Sequence, residues 1–364
     1  MNFSTPAFAG HKEPEKTGYK VPLHGLSALR ILVILAIAVG YASTMNIGTE
    51  SAEWGRHWGY DPSWYGVQVL FIFSGFLAIR SMTDGRTITD FLKSRTLSIW
   101  PALIAATLLV VCVIYPLMCT PDPAARLSVI ELSTYFLKTV FLIEPGARLP
   151  GLMDDAKYMC LLQGAIWTLR VGIILHLGFL LGWVMRIFRN RKLVLALSIL
   201  SIAAYVTLVD LSVQNPEFGN LIEPGLPFIR LGYAYLAGIA LFQWQDKLRL
   251  NRQRILLSSS VIAILTSAFY MWAPWSSVLE ILGVTFWLTI CLGFLHNAPT
   301  FLSRCPRLSP VLYVTIWPAA QVVVALLPNA TQINVIHISV VLASFGSAAI
   351  FLLLRQARIQ PARL

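Results

Sequence analysis

Charge is scarce in this chain. Of 364 residues only 12% are charged and 57% are hydrophobic, against roughly 25% charged in an average soluble domain, which excludes a soluble globule. Strict apolar/polar alternation is also missing, so an outer-membrane barrel is excluded. The first 20 residues, with His11, Lys12, Glu13, Glu15, Lys16 and Lys20, lack the apolar core and small-residue cleavage site of a signal peptide. They are expected to stay on the protein as a cytosolic tail. Five cysteines form neither a Cys-x-x-Cys pair nor a Cys/His cluster at metal spacing, so no metal is expected. Cys112 and Cys291, within apolar runs, read as packing residues. Glycine pairs lack the strand-to-helix setting that a nucleotide loop needs. There is no internal repeat, low-complexity tract or second soluble domain.

What is abundant is apolar sequence in blocks near twenty residues, the length that carries a helix across a hydrocarbon core about 30 Å thick. Blocks near 28–48, 63–82, 98–118, 164–185, 193–210, 227–244, 254–272, 276–295, 307–327 and 335–354 predict an all-α, polytopic membrane bundle of about ten transmembrane helices. Basic residues collect in alternate connections: Arg80, Arg86, Lys93 and Arg95; Arg186, Arg189, Arg191 and Lys192; Lys247, Arg249, Arg252 and Arg254; Arg304 and Arg307; Arg355, Arg358 and Arg363. The opposite connections hold Glu50, Glu53 and Asp61, then Asp122, Glu131, Glu144, Asp154 and Asp155, then Asp210, Glu217 and Glu223. The positive-inside rule therefore puts both termini in the cytoplasm. A net charge of +11 spread over short loops is a topology signal and points to no nucleic acid. The expected layout is a cytosolic tail at 1–27, one transmembrane domain at 28–354 and a basic cytosolic tail at 355–364.

Two connections carry amphipathic patterns. Leu127 to Ile143 predicts a helix lying on the outer surface, roofing part of the bundle, and Cys119 and Cys160 bracket that loop on the oxidising side, where a disulfide can form. Segment 87–97 predicts a second surface helix on the cytosolic side. Glu50, Glu53, His57 and Asp61 lie among Trp54, Trp58, Trp64 and Tyr65; the aromatics serve either as interface anchors or as sugar-stacking faces. Arg170 and Arg230, in or at the edge of spans, either mark a functional cavity or snorkel to the interface, the latter being the expectation for Arg230. His296 falls in a cytosolic loop and His337 near the last outside turn.

Several segments together resemble one family. Leu23-His24-Gly25-Leu26, Gly66-Val67-Gln68-Val69-Leu70-Phe71-Ile72-Phe73-Ser74-Gly75-Phe76-Leu77, Arg95 to Pro101, Trp167 to Val171, and Ser309 through Tyr313 to Trp317-Pro318 are similar, in order, to motifs of the acyltransferase-3 family of integral membrane O-acyltransferases. The second segment, close to Gly-Val-Asp-Leu-Phe-Phe-Val-Leu-Ser-Gly-Phe-Leu, is the most specific. Family polar positions differ here: the first-span arginine and histidine align with Ser27 and Ala38, the second-span aspartate with Gln68, the carboxylate after the Trp-x-Leu element with Gly172, and the late histidine with Ile316. A three-residue shift supplies Arg30 and Tyr41 as the first pair, although an ordinary tyrosine, with a pKa about 10, is a weak base.

The resemblance implies ten helices and transfer of acetyl from acetyl-CoA, or another acyl-CoA, to a sugar hydroxyl of an exopolysaccharide such as xanthan or of its lipid-linked precursor. No cofactor is held permanently. Arg95, joined by Arg30 unless Arg30 is an ordinary interface anchor, would bind the donor phosphates. His176, inside a span and one turn beyond the Trp167–Val171 element, or Tyr41, would act as base; the plainer role for His176 is an interhelical hydrogen bond. Trp167, Arg170, Gln68, Ser74 and Tyr313 would face substrate, with Ser74 read first as a close-packing residue. Expected partners are the bilayer, a glycan or lipid-linked oligosaccharide, and other polysaccharide-biosynthesis membrane proteins, in a bacterial inner membrane. Two rival readings are a non-catalytic relative that binds glycan or scaffolds an enzyme, and a transporter.

Overall fold

The computed structural model describes residues 23–47, 61–119, 127–144, 149, 152, 162–247, 252–272, 277–293 and 308–359. Among the described residues, besides the short stretch Tyr115–Met118, twelve α-helices follow one another: α1 (Leu23–Ile47), α2 (Pro62–Thr83), α3 (Ile88–Leu109), α4 (Val129–Val140), α5 (Trp167–Val184), α6 (Arg191–Gln214), α7 (Pro216–Ile222), α8 (Leu226–Gln243), α9 (Arg252–Trp272), α10 (Ser277–Gly293), α11 (Leu308–Leu326) and α12 (Gln332–Ile359). There are no strands among the described residues, only an isolated antiparallel bridge between Cys119 and Leu152.

Helix boundaries follow local chemistry. Pro62 opens α2, where its missing N–H costs nothing, and the Asp61 carboxylate caps it, accepting from Ser63 N at 2.6 Å and Trp64 N at 3.0 Å. Gly85, at φ +87°, supplies the left-handed turn after the helix. α4 begins with a capping box in which Ser128 and Glu131 satisfy each other's backbone N–H. This α4 is the amphipathic segment expected in the outer loop.

Among the described residues, eight helices (α1, α2, α3, α5, α6, α8, α11 and α12) are long and apolar enough to cross a membrane, and the shorter apolar stretches Leu257–Ala268 of α9 and Ser277–Gly293 of α10 stand where the seventh and eighth spans were expected. The molecule is a polytopic helical bundle. Its outer surface carries Ile199, Leu200, Ile264, Phe345 and Leu353, each 60% or more exposed; a belt of that kind is stable against lipid and would be an aggregation surface in water.

Two expectations need correction. Segment 87–97 is not a separate surface helix: it runs straight into the third span, and helical residues extend from Ile88 to Met118 through a π-helical stretch at Val110–Ile114. Thirty-one residues make about 46 Å of helix, more than the hydrocarbon core needs, so the polar first turns with Thr89, Asp90 and Lys93, all exposed, stand outside it. Pro101 lies inside the helix without ending it, and the Leu97 carbonyl that it leaves without a helical donor belongs to an exposed residue. Cys112 is exposed toward lipid rather than packed, whereas Cys291 is buried. Cys160, and so its pairing with Cys119, lies outside the described residues, as do His11, Glu50, Glu53, Trp54, His57, Trp58, His296, Arg304 and Arg307.

At the centre α2 packs between α1 and α8, α11 packs on α1 and α12, and α10 closes on α2 and α6. The α2–α8 contact is backbone on backbone. A Cβ on Gly75 would lie 2.0 Å from the Tyr235 carbonyl oxygen, and one on Gly238 would lie 1.9 Å from that of Ile72. The Ser-Gly-Phe element is therefore a packing device, and Ser74 fits it, returning its hydroxyl to the Leu70 carbonyl at 2.9 Å. Gly75→Val is expected to cost about 3 kcal/mol or more and to remove the monodisperse peak of detergent-solubilised protein in size-exclusion chromatography. Gly346→Ala, with nothing within 4 Å of the new methyl, is expected to leave that peak unchanged.

Candidate active site

Two cavities open between the central helices, toward opposite ends of the bundle. The one toward the basic-loop end has a volume of about 160 Å³ and is lined by Arg30 of α1, Phe71 and Ser74 of α2, Arg95 and Ser98 of α3, Thr168, Gly172 and His176 of α5, and Ser309 and Tyr313 of α11. Among the described residues no carboxylate lines it. Two guanidinium groups thus face one space with no internal counter-ion, an arrangement that favours a bound anion.

The imidazole of His176 is oriented by its own helix. Nδ1 lies 2.5 Å from the Gly172 carbonyl, so Nδ1 carries a proton and donates it there; Nε2 has no partner. The ring packs 5.4 Å from Tyr235 and 5.7 Å from Phe91, and the Arg95 guanidinium sits 5.1 Å from the centroid of that same Phe91. Cation and imidazole therefore both pack on Phe91.

The second cavity, about 240 Å³, lies toward the acidic-loop end and is lined by Tyr41, Thr44, Asp61, Ser63, Trp64, Gly164, Trp167, Arg230 and Trp317. Val67 borders both cavities. The partition beside it is a run of hydroxyls: Thr168 Oγ1 lies 2.7 Å from the Tyr313 hydroxyl, which is also hydrogen-bonded to Tyr41. Trp317 meets Tyr41 edge to face at 4.6 Å and rests on Gly164, where any Cβ would strike the indole.

The expected site residues divide between these spaces. Arg30, Arg95, His176, Ser74 and Tyr313 gather at the first cavity; Tyr41 and Trp167 stand at the second, so the two candidate bases do not share a chamber. Arg30 and Tyr41 face the cavities, whereas Ser27 and Ala38, the unshifted alignment, line neither. Arg170 is exposed and lines neither, its Nη1 lying 3.5 Å from the Ile143 carbonyl. Gln68 also lines neither; it is fully buried and donates to Glu280 Oε1 at 2.5 Å. His337 is exposed at the start of α12. Arg230 does not snorkel: it is 5% exposed and its guanidinium lies 3.5 Å from the centre of the Trp64 ring. Asp61 and Trp64 likewise line a cavity instead of merely anchoring the interface.

A residue that motif reading passed over completes the interior. Glu280 of α10 is fully buried, and its carboxylate accepts from Gln68 and, at 2.5 Å, from the Tyr205 hydroxyl; the Tyr233 hydroxyl in turn donates to Gln68. A lone carboxylate in an apolar run was the available signal, since such a group needs partners in a membrane.

A family model described as an acyltransferase domain matches residues 23–355. The chain belongs to the acyltransferase-3 family. That match spans every helix lining the two cavities, so both lie within the acyltransferase-3 domain. No curated protein and no solved structure matches the chain.

Glu280 in this acyltransferase-3 chain generates a stability prediction. Glu280→Ala leaves the Gln68 amide and the Tyr205 hydroxyl without their acceptor and is expected to cost about 1 to 3 kcal/mol, while Glu280→Gln, which keeps an acceptor oxygen, costs less. Thermal unfolding of the purified protein in detergent checks the order.

Proposed function

We propose that this membrane acyltransferase moves an acetyl group from acetyl-CoA to a sugar hydroxyl of an exopolysaccharide or of its lipid-linked precursor, in a bacterial inner membrane. The observation that carries the reading is the meeting of Arg30, Arg95 and the partnerless Nε2 of His176 in one carboxylate-free cavity of an acyltransferase-3 chain. CoA is an anion rich in phosphate, and by the positive-inside rule this cavity faces the compartment that holds it.

In this mechanism Arg95, with Arg30 deeper in the same space, binds donor phosphates through charge-assisted hydrogen bonds. The acceptor hydroxyl attacks the thioester carbonyl carbon, the C–S bond breaks, and CoA leaves as the thiol. Nε2 of His176 accepts the hydroxyl proton and returns it to the departing sulfur. Guanidinium charge beside the carbonyl stabilises the oxyanion that develops. Gly172 has no side chain where the family resemblance expects a carboxylate, and its carbonyl is the acceptor of the His176 Nδ1–H.

The same Gly172 favours the rival reading of a non-catalytic, glycan-binding relative, and one experiment separates the two. Deleting the gene is expected to remove one class of ester-linked acetyl from the host's surface polysaccharide. Restoring the native gene returns it, Arg95→Ala returns less than about a tenth, and Arg95→Lys gives an intermediate level. His176→Ala is expected to lower it about a hundredfold or more with membrane insertion intact. Acetyl content that ignores deletion overturns the transferase reading.

A further inference from the structure

We infer that the cavity toward the acidic-loop end holds a negatively charged saccharide, its anionic group on Arg230 and its ring against the indoles of Trp64 and Trp167. This rests on the acyltransferase reading for its place in the reaction and names the class of acceptor.

The inference starts from an anomaly of charge. Arg230 is 5% exposed, within a membrane-spanning helix. Among the described residues, no carboxylate oxygen lies within 4.0 Å of its guanidinium, and Nε has no hydrogen-bond partner. A buried cation of this kind is costly unless something compensates it. The nearby carboxylates are already committed. Asp61 caps α2 with Oδ1, which accepts from the Ser63 N–H, the Ser63 hydroxyl and the Trp64 N–H, while Oδ2 accepts from Thr44 at 3.2 Å. Glu280 is taken by Gln68 and Tyr205. The Glu280 charge acts on Arg230 without an ion pair, and the direct contacts are cation–π: the guanidinium lies 3.5 Å from the centre of the Trp64 ring and 5.9 Å from that of Trp167. Such contacts hold the group in place but leave its N–H donors available to a ligand.

The rest of the lining decides what kind of anion. Trp64, Trp167, Trp317 and Tyr41 surround the space, and flat aromatic walls beside a fixed cation suit a pyranose ring with one charged substituent better than a bare ion. The charge is either a carboxylate on the sugar ring or a phosphate joining the sugar to a lipid; both present oxygen pairs to a guanidinium fork. Val67 borders both this chamber and the one with His176, and Thr168 and Tyr313 of that chamber share a hydrogen bond, so the hydroxyl of a sugar held here must pass beside Val67 to reach His176 and the donor thioester.

Isothermal titration of the full chain in nanodiscs tests this with three probes: methyl glucoside, methyl glucuronoside and glucose 1-phosphate. At least one anionic sugar is expected to bind about tenfold tighter than the neutral one, with Arg230→Met removing the preference and Arg230→Lys keeping part of it. A carboxylate-only preference assigns the charge to the sugar ring, and a phosphate-only preference assigns it to the lipid linkage. Equal binding of all three sugars, no binding of either anion, or a preference that survives Arg230→Met in folded protein overturns the inference. Titrating CoA into the same native preparation keeps the two readings apart. Sugar preference without CoA binding sinks the transferase reading alone, and CoA binding without sugar preference sinks this one alone.

Discussion

The approach of α2 to α8 governs the interior. Because Gly75 and Gly238 carry no Cβ, the carbonyls of Tyr235 and Ile72 come within about 2 Å of where those atoms would stand. At that separation Tyr233 reaches Gln68, and through Gln68 the Glu280 carboxylate; Arg230, on the same helix, reaches the face of Trp64 on α2. His176 packs against Tyr235, next to the same contact. Van der Waals packing between small residues is the usual glue of membrane helices, and here it also sets the positions of the polar groups.

The charged and amide groups among them follow a rule that lipid favours: each is paired, or it faces a cavity. Glu280, Gln68, Tyr205 and Tyr233 satisfy one another and serve structure. Arg30, Arg95 and His176 face one chamber, and Arg230 faces another. The division between paired and cavity-facing groups is what separates scaffold from chemistry here, and it places a cationic, histidine-bearing space at one end and an aromatic, arginine-bearing one at the other.

Much of the fold was legible because lipid makes composition decisive: blocks of about twenty apolar residues and alternating basic loops give helices and their order without any tertiary information. Segment 87–97 was misread because its polar, amphipathic turns look like a separate surface element, while the helix simply carries them beyond the hydrocarbon. Of the site, Arg95 and His176 were visible as a motif residue and an intramembrane histidine. Arg230 was misjudged because an arginine near a span end reads equally as an anchor; only the tertiary position of Trp64 distinguishes the two. Gln68 sits at a motif position but faces Glu280, 212 residues away in sequence, a pairing that spacing along the chain does not reveal.

The central claim is that the donor is taken up at the basic-loop end, by Arg30 and Arg95. Its most direct test is transfer of labelled acetyl from acetyl-CoA into endogenous glycan acceptor, compared between inside-out and sealed right-side-out membrane vesicles carrying the protein. The account predicts incorporation when acetyl-CoA reaches the cytoplasmic face and none when it is confined to the outer face. Equal incorporation from the two faces, or from the outer face alone, would contradict it.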